Sequence, residues 1–211
     1  MIRGTIFDID GTLLDSMPIW NDCGAVYLRK LGVTPEQGLG ELLFPMTLEQ
    51  SSAYLKEHYG LRQSEAEIRQ GVLAVVAEFY REQAPLKPGA KELLEQLRDR
   101  GIPMILATTG DAVLARAALE RLGVWQFFRG MLTASELQTS KHEPKIYLEA
   151  ASLLGTEPAE TAVFEDVLYA VETAKAAGFF TVAVADDASA GDEASLRHMA
   201  DVYLHALNEY R

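Results

Sequence analysis

Residues 5–15 read TIFDIDGTLLD, and this stretch decides how the rest of the chain is interpreted. Thr5–Phe7 is a short apolar run typical of a buried strand, and Asp8 and Asp10 follow it directly. In parallel α/β sheets, ligands bind beyond the carboxyl ends of the strands, which is where these two carboxylates are expected. Gly11 then allows the chain to turn sharply. Taken alone, the pair is equally compatible with acidic residues that simply end a strand.

Short apolar runs alternate with amphipathic segments through most of the chain, which predicts an α/β fold with a Rossmann-like parallel sheet. Further strands are predicted at Met104–Ala107, Gly130–Leu132, Ala162–Phe164, Thr181–Val184 and Val202–Leu204. Helices that are each followed by a glycine, a typical C-terminal signal, are predicted at Ala90–Arg100, Asp111–Leu122, Pro144–Leu154 and Val167–Ala177.

Residues 16–87 interrupt this alternation. Consecutive helices are predicted at Trp20–Leu31, at Leu48–Tyr59 and from the capping box that begins at Ser64. The sequence therefore predicts an all-helical domain at 16–87, inserted into an α/β core domain formed by 1–15 and 88–211.

The composition is globular but strongly acidic, with 31 Asp and Glu against 19 Lys and Arg and a formal net charge of −12. This charge disfavours nucleic acid and anionic membrane surfaces as partners. The single cysteine, Cys23, excludes an internal disulfide and fits a reducing compartment. The longest apolar stretch, Ala176–Ala185, is too short to span a bilayer, and the first residues do not read as a signal peptide. We expect a cytoplasmic protein, with a monomer as the default.

A second acidic pair, Glu165 and Asp166, follows the strand predicted at Ala162–Phe164. Alone, it reads as a helix cap. If the two strands are neighbours, however, Asp8 and Asp10 approach this pair. At an effective dielectric constant of about 20, each like-charge pair at ~4 Å costs about 4 kcal/mol. Raised pKa values or a cation must offset that repulsion, and Mg²⁺ suits a site of few carboxylates.

Two further signals are expected at the same edge of the sheet. Thr108 and Thr109 follow the second strand and precede a helix, so their hydroxyls and backbone N–H groups could bind an anion, although an ordinary helix cap has the same pattern. Lys141 could supply positive charge to a phosphate, although a lone loop lysine is usually solvated.

In this order, the motifs resemble those of the haloacid dehalogenase-like superfamily of phosphatases and phosphomutases. The resemblance covers nearly the whole chain and rests on five segments: Asp8–Thr12, Thr108, Lys141, Glu165–Asp166 and Thr173–Gly178. It implies a Rossmann-like core and identifies the helical insertion with a mobile cap that closes over the site.

The resemblance also implies residue roles. Asp8 would attack the phosphoryl group and become an aspartyl-phosphate, while Asp10 would protonate the leaving oxygen and later deprotonate water. Thr108, Thr109 and Lys141 would hold the phosphoryl oxygens of a small phosphorylated metabolite.

For the metal, the resemblance implies Mg²⁺ held by the Asp8 carboxylate, the Asp10 backbone carbonyl and Asp166. Glu165 is either a further direct ligand or lies in the outer shell.

Four positions depart from the family pattern, among them Ala170, where a glycine is usual. His142 and Lys145 replace residues that follow the phosphate-binding lysine, which makes Lys145 a competitor of Lys141 for that role. Val167 stands where serine is usual, so we expect a hydroxyl near the metal to be missing.

The function predicted from the sequence is Mg²⁺-dependent hydrolysis of a small phosphomonoester. A β-phosphoglucomutase-like mutase would share the same core residues and is the alternative. A dehalogenase is disfavoured because Asp10 and the metal ligands would be idle. A catalytically silent phosphate-binding protein is the remaining reading, and it is weak because no nucleophile or ligand is lost.

Overall fold

The computed structural model describes residues 1–43 and 45–211. The chain divides into two compact units. The core unit comprises Met1–Asp15 and Ala84–Arg211, and the helical unit comprises Ser16–Gln83. Its second boundary thus lies four residues before the predicted division between residues 87 and 88.

Four α-helices lie in the described part of the helical unit: α1 (Met17–Lys30), α2 (Leu39–Leu43), α3 (Leu48–Tyr59) and α4 (Glu65–Glu82). Helix α1 begins three residues earlier than predicted, because Pro18 is well tolerated in a first helical turn. Helices α3 and α4 both begin in capping boxes, with the N-cap residues Thr47 and Ser64. The short helix α2 was not predicted.

Across the described residues, six parallel strands form one sheet in the order β3-β2-β1-β4-β5-β6. The strands are β1 (Gly4–Phe7), β2 (Met104–Thr108), β3 (Phe128–Thr133), β4 (Thr161–Glu165), β5 (Phe180–Val184) and β6 (Val202–Leu204). The predicted α/β class and all six predicted strands are confirmed, with shifts of at most two residues at their ends.

The helices of the core unit are α5 (Ala90–Asp99), α6 (Ala112–Arg121), α7 (Lys145–Leu154), α8 (Leu168–Ala176) and α9 (Glu193–Met199). The Asp111 side chain caps α6 by accepting hydrogen bonds from the N–H groups of Val113 and Leu114, each at 2.9 Å. The seven-residue helix α9 is the one α-helix of the core unit, among the described residues, that was not predicted.

The register of the sheet brings three strand ends to one edge. Strand β1 lies between β2 and β4, and Phe7 is paired with both Leu106 and Phe164. Asp8 therefore follows β1 beside the last residue of β4, which is Glu165. The assumption that β1 and β4 are neighbouring strands is thus confirmed.

One helix covers this part of the sheet. Ile146, Tyr147 and Ala150 of α7 are fully buried in a cluster with Ile6 of β1 and Val163 of β4. This packing fixes α7 close to the strands that carry the acidic residues. Among the described residues, no helix has the length and apolarity needed to cross a membrane.

Candidate active site

The acidic residues at the ends of β1 and β4 form one cluster. The Asp8 N–H donates a hydrogen bond of 3.0 Å to the Phe164 carbonyl, so the sheet pairing continues one residue past β1. One carboxylate oxygen from each of Asp8, Glu165 and Asp166 lies within 4.8 Å of the other two, and all three residues are buried. The structure therefore brings together three of the carboxylates that the sequence analysis singled out.

Lys141 lies inside this cluster, with only 2% of its side chain exposed. Its Nζ donates to Asp8 Oδ1, and it forms an ion pair of 2.6 Å with Glu165 Oε1. Burial disfavours the ammonium, but the charges of Asp8 and Glu165 outweigh it and raise the pKa of Lys141 above its ordinary value. The competing Lys145 instead donates to the Leu137 carbonyl at 2.7 Å, on the exposed side of the loop.

The two oxygens of Glu165 have different surroundings. Oε1 forms the ion pair with Lys141 and also accepts a hydrogen bond of 2.8 Å from the Tyr147 hydroxyl. Oε2 is buried and has no hydrogen-bond partner among the described residues. Burial raises the pKa of Glu165 to about 7; Lys141 opposes this rise, and Asp8 adds to it. Tyr147 was not among the predicted site residues, and the only sequence signal for it is its position on the apolar face of the helix predicted at Pro144–Leu154.

Asp166 is held by two hydroxyl groups. Thr12 Oγ1 donates to Oδ1 at 3.1 Å, and Ser189 Oγ donates to Oδ2 at 3.4 Å. Burial, followed by the charge of Asp8, raises the pKa of Asp166 well above its ordinary value.

The expectation that Val167 leaves the acidic site without a hydroxyl is wrong. Ser189 comes from the turn after β5, the strand beside β4, and is 23 residues from Asp166 in the chain. Spacing around the acidic pair could not reveal a contact that depends on the order of the strands.

Gly11 makes room for this arrangement. Its φ is +87°, and a Cβ at this position would lie 2.4 Å from Asp166 Oδ2. Any other residue would collide with the carboxylate and adopt an unfavourable backbone conformation. The turn after β1 therefore depends on a glycine for a steric reason as well as a conformational one.

The end of β2 forms the other side of the site. Thr108 is buried, and its Oγ1 accepts a hydrogen bond of 2.9 Å from the Gly110 N–H. A Cβ on Gly110 would lie 2.7 Å from Asp10 Oδ2 and 3.2 Å from Thr108 Oγ1, so the Asp10 carboxylate lies against this turn. Thr109 is exposed. The predicted contact between the Asp10 carbonyl and a metal stays a prediction.

The donor set fits a divalent metal ion. Three carboxylates face one ammonium, and burial, together with the repulsion among the carboxylates, raises the pKa values of Glu165 and Asp166. Glu165 Oε2 is a buried acceptor that has no donor in the described part of the chain. Hard cations such as Mg²⁺ bind carboxylate oxygens, and a bound cation would both satisfy this oxygen and reduce the repulsion.

Comparisons with known proteins agree with this geometry. The model of the haloacid dehalogenase-like hydrolases matches residues 2–178. Hexitol phosphatase A of Escherichia coli strain K12 is 32% identical over 98% of this chain and 92% of its own length. Validoxylamine A 7'-phosphate phosphatase of Streptomyces hygroscopicus subsp. limoneus is 32% identical over 100% of this chain and 97% of its own.

Among solved structures, a predicted β-phosphoglucomutase from Thermotoga maritima superposes with a TM-score of 0.87 at 25% identity, covering 99% of this chain and 96% of that one. These matches confirm the family resemblance and the prediction of a phosphoric monoester hydrolase for which phosphomutase activity is the alternative. The chain belongs to the haloacid dehalogenase-like hydrolases.

Proposed function

We propose that this protein is a Mg²⁺-dependent phosphatase that hydrolyses a small phosphorylated sugar or sugar alcohol through an aspartyl-phosphate on Asp8. The observation that carries the proposal is the buried cluster of Asp8, Glu165 and Asp166 around Lys141. The substrate class rests on the two phosphatases that are 32% identical over nearly the whole chain.

Asp8 is the nucleophile in this proposal. One of its oxygens forms a bond to phosphorus as the bond from phosphorus to the leaving oxygen breaks. The Asp10 carboxyl, which lies against the turn after β2, gives its proton to that leaving oxygen and releases the alcohol. Asp10 then takes a proton from water, which attacks phosphorus and regenerates Asp8. Each proton that Asp10 donates is thereby recovered in the second step.

Lys141 and Thr108 bind the phosphoryl oxygens. The raised pKa of Lys141 keeps its ammonium charged at neutral pH, so it can stabilise negative charge that moves onto those oxygens. Thr108 Oγ1 already accepts the Gly110 N–H and keeps its own proton to donate. The exposed Thr109 supplies a further donor at the same turn. Asp8 and Asp166, with Glu165 beside them, would hold Mg²⁺, and the bound ion would shield the repulsion between the nucleophile and the phosphate.

A sugar-phosphate mutase is the second candidate, and the TM-score of 0.87 to the predicted β-phosphoglucomutase favours it. In a mutase, the phosphoryl group on Asp8 passes to another substrate hydroxyl instead of to water. We rank the phosphatase first because the curated relatives quoted above are both phosphatases.

The test is phosphate release from a panel of sugar and polyol phosphates, with Mg²⁺ and with excess EDTA. The panel includes β-glucose 1-phosphate, with glucose 6-phosphate monitored as a product. Release that requires Mg²⁺ supports the phosphatase, and isomer formation without release supports the mutase. Release that EDTA does not reduce contradicts the metal assignment.

The cap role of the helical unit, the cytoplasmic location and the monomeric state stay predictions.

A further inference from the structure

The Tyr147 hydroxyl contacts the acidic cluster, and the proposed mechanism does not use it. Tyr147 lies on α7, fully buried, and its hydroxyl donates to Glu165 Oε1 at 2.8 Å. Its ring packs edge-on against Phe179, with the ring centroids 6.2 Å apart. Packing alone would be satisfied by phenylalanine, so the buried hydroxyl needs a separate explanation.

The hydrogen bonds of Glu165 are divided unevenly between its oxygens. Lys141 and Tyr147 both donate to Oε1, whereas Oε2 is buried without a partner among the described residues. A carboxylate held by only one donor can rotate about its last bond and exchange its oxygens. Two donors that converge on Oε1 from different elements, a loop and a helix, prevent this exchange and leave Oε2 as the available acceptor.

We propose that Tyr147 is a positioning residue for the metal site: with Lys141, it fixes Glu165 so that Oε2 faces the cation as a direct ligand. This inference rests on the proposed function for the identity of the ion. It answers whether Glu165 binds the metal directly or lies in the outer shell, a question that the sequence left open. Lys141 also donates to Asp8, so it links the nucleophile to the same Glu165 oxygen that Tyr147 holds.

The test is equilibrium metal binding by the whole protein without substrate, with Mg²⁺ followed by calorimetry and Mn²⁺ by electron paramagnetic resonance. Tyr147→Phe removes one oxygen atom and retains the ring. We expect its Kd for both ions to rise about 10-fold or more, the usual effect of losing a hydrogen bond to a metal ligand. In steady-state assays, the Mg²⁺ concentration for half-maximal rate should rise by the same factor, and kcat at saturating Mg²⁺ should largely recover.

Tyr210→Phe is the matched control. Tyr210 packs edge-on against Phe164 of β4, with centroids 5.0 Å apart, and belongs to neither the metal site nor the proposed mechanism. Its substitution should leave the Kd for Mg²⁺ unchanged. If Tyr147→Phe lowers the Tm but leaves the Kd unchanged, Tyr147 is merely structural and the inference is wrong.

A double-mutant cycle with Glu165→Gln separates positioning from general damage to the site. Because Tyr147 acts only through Glu165, Tyr147→Phe should have no further effect on metal affinity in the Glu165→Gln background. Additive losses would overturn the inference. If the wild-type protein bound neither ion, both the proposed function and the Tyr147 inference would be wrong. If the wild-type protein and Tyr147→Phe bound the ions equally well, the Tyr147 inference alone would be wrong.

Discussion

Two clusters at opposite ends of the parallel strands each contain a lysine, at least one hydroxyl and at least one carboxylate, and their carboxyl pKa values shift in opposite directions. One is the acidic cluster at the carboxyl ends of β1 and β4. The other surrounds Asp201, which precedes β6, and includes Lys175 of α8 and Thr181 of β5. The comparison shows how the balance of charges and donors around a carboxylate decides the direction of its pKa shift.

Asp201 has its charge fully compensated. Lys175 Nζ donates to it at 2.7 Å, and the N–H and hydroxyl of Thr181 each donate at 2.9 Å. Burial alone would raise the pKa of Asp201, but these hydrogen bonds and the lysine charge outweigh it and lower the pKa below its ordinary value. This carboxylate therefore stabilises the folded protein.

The acidic cluster shows the opposite imbalance. Three buried carboxylates share the ammonium of Lys141, and the pKa values of Glu165 and Asp166 are raised. Such crowding costs folding free energy when no cation is bound. We infer that the cluster lowers the free energy of unfolding of the metal-free protein, and that the same carboxylates form an acidic site for a cation and a phosphate.

The largest effect is expected for Asp8→Asn. Losing the nucleophile should lower kcat by roughly 10⁴–10⁶-fold, while circular dichroism shows an intact fold. Asp201→Asn is the matched control, because it removes a carboxylate charge of the same unit outside the site. Near-normal turnover by Asp8→Asn with Mg²⁺ would contradict the mechanism.

Asp10→Asn should have a smaller effect. The amide can neither donate a proton to the leaving oxygen nor accept one from water, so we expect kcat to fall by roughly 10²–10⁴-fold. The measurement is steady-state phosphate release on the best substrate of the panel. A substrate with a good leaving group should restore the first step and give a burst before the steady state, although kcat stays low because the second step still lacks its base; the absence of a burst would argue against the acid role.

Gly11→Ala should lower activity by about 10²-fold at a fixed, subsaturating Mg²⁺ concentration. The added Cβ would lie 2.4 Å from Asp166 Oδ2, and the carboxylate must move. Gly155→Ala is the control, because Gly155 also has a positive φ of 73° but its Cβ would meet nothing within 4 Å. Both variants should lose about 1 kcal/mol of stability from backbone strain. Equal activity of the two variants would refute the steric argument.

The smallest effect is expected for Asp201→Asn, on stability alone. After allowance for solvent screening at this half-exposed position, the free energy of unfolding should fall by about 1 kcal/mol at pH 7. Because the folded-state pKa is lowered, the carboxylate stabilises the protein above its unfolded-state pKa, near 4, and this contribution disappears as the pH falls through the folded-state value. Denaturation with urea at a series of pH values measures it. A difference that persists at pH 2 would contradict this account.

Local sequence features were sufficient for most of the fold. Alternating apolar runs located the strands because buried parallel strands are almost entirely apolar, and glycines marked the helix ends. The short helices α2 and α9 were missed, because five and seven residues are too few to show a clear helical period.

The site was predictable where residues lie at strand ends and unpredictable where they meet by packing. Asp8, Glu165 and Asp166 follow directly from strand position. Tyr147 and Ser189 do not, because their contacts depend on how α7 and the turn after β5 pack against β4. Likewise, spacing could not choose between Lys141 and Lys145, whereas the fold buries one and exposes the other.

The most direct test of the central claim is the Tm of the wild-type protein and of Asp166→Asn, each measured in EDTA and in Mg²⁺. If the cluster is a metal site with uncompensated repulsion, Asp166→Asn has the higher Tm in EDTA, because one charge has been removed. Mg²⁺ then stabilises the wild-type protein, by about 2.7 kcal/mol at 100 times its Kd, and has little effect on the variant. A wild-type Tm that does not respond to Mg²⁺, together with a less stable variant in EDTA, would contradict the account.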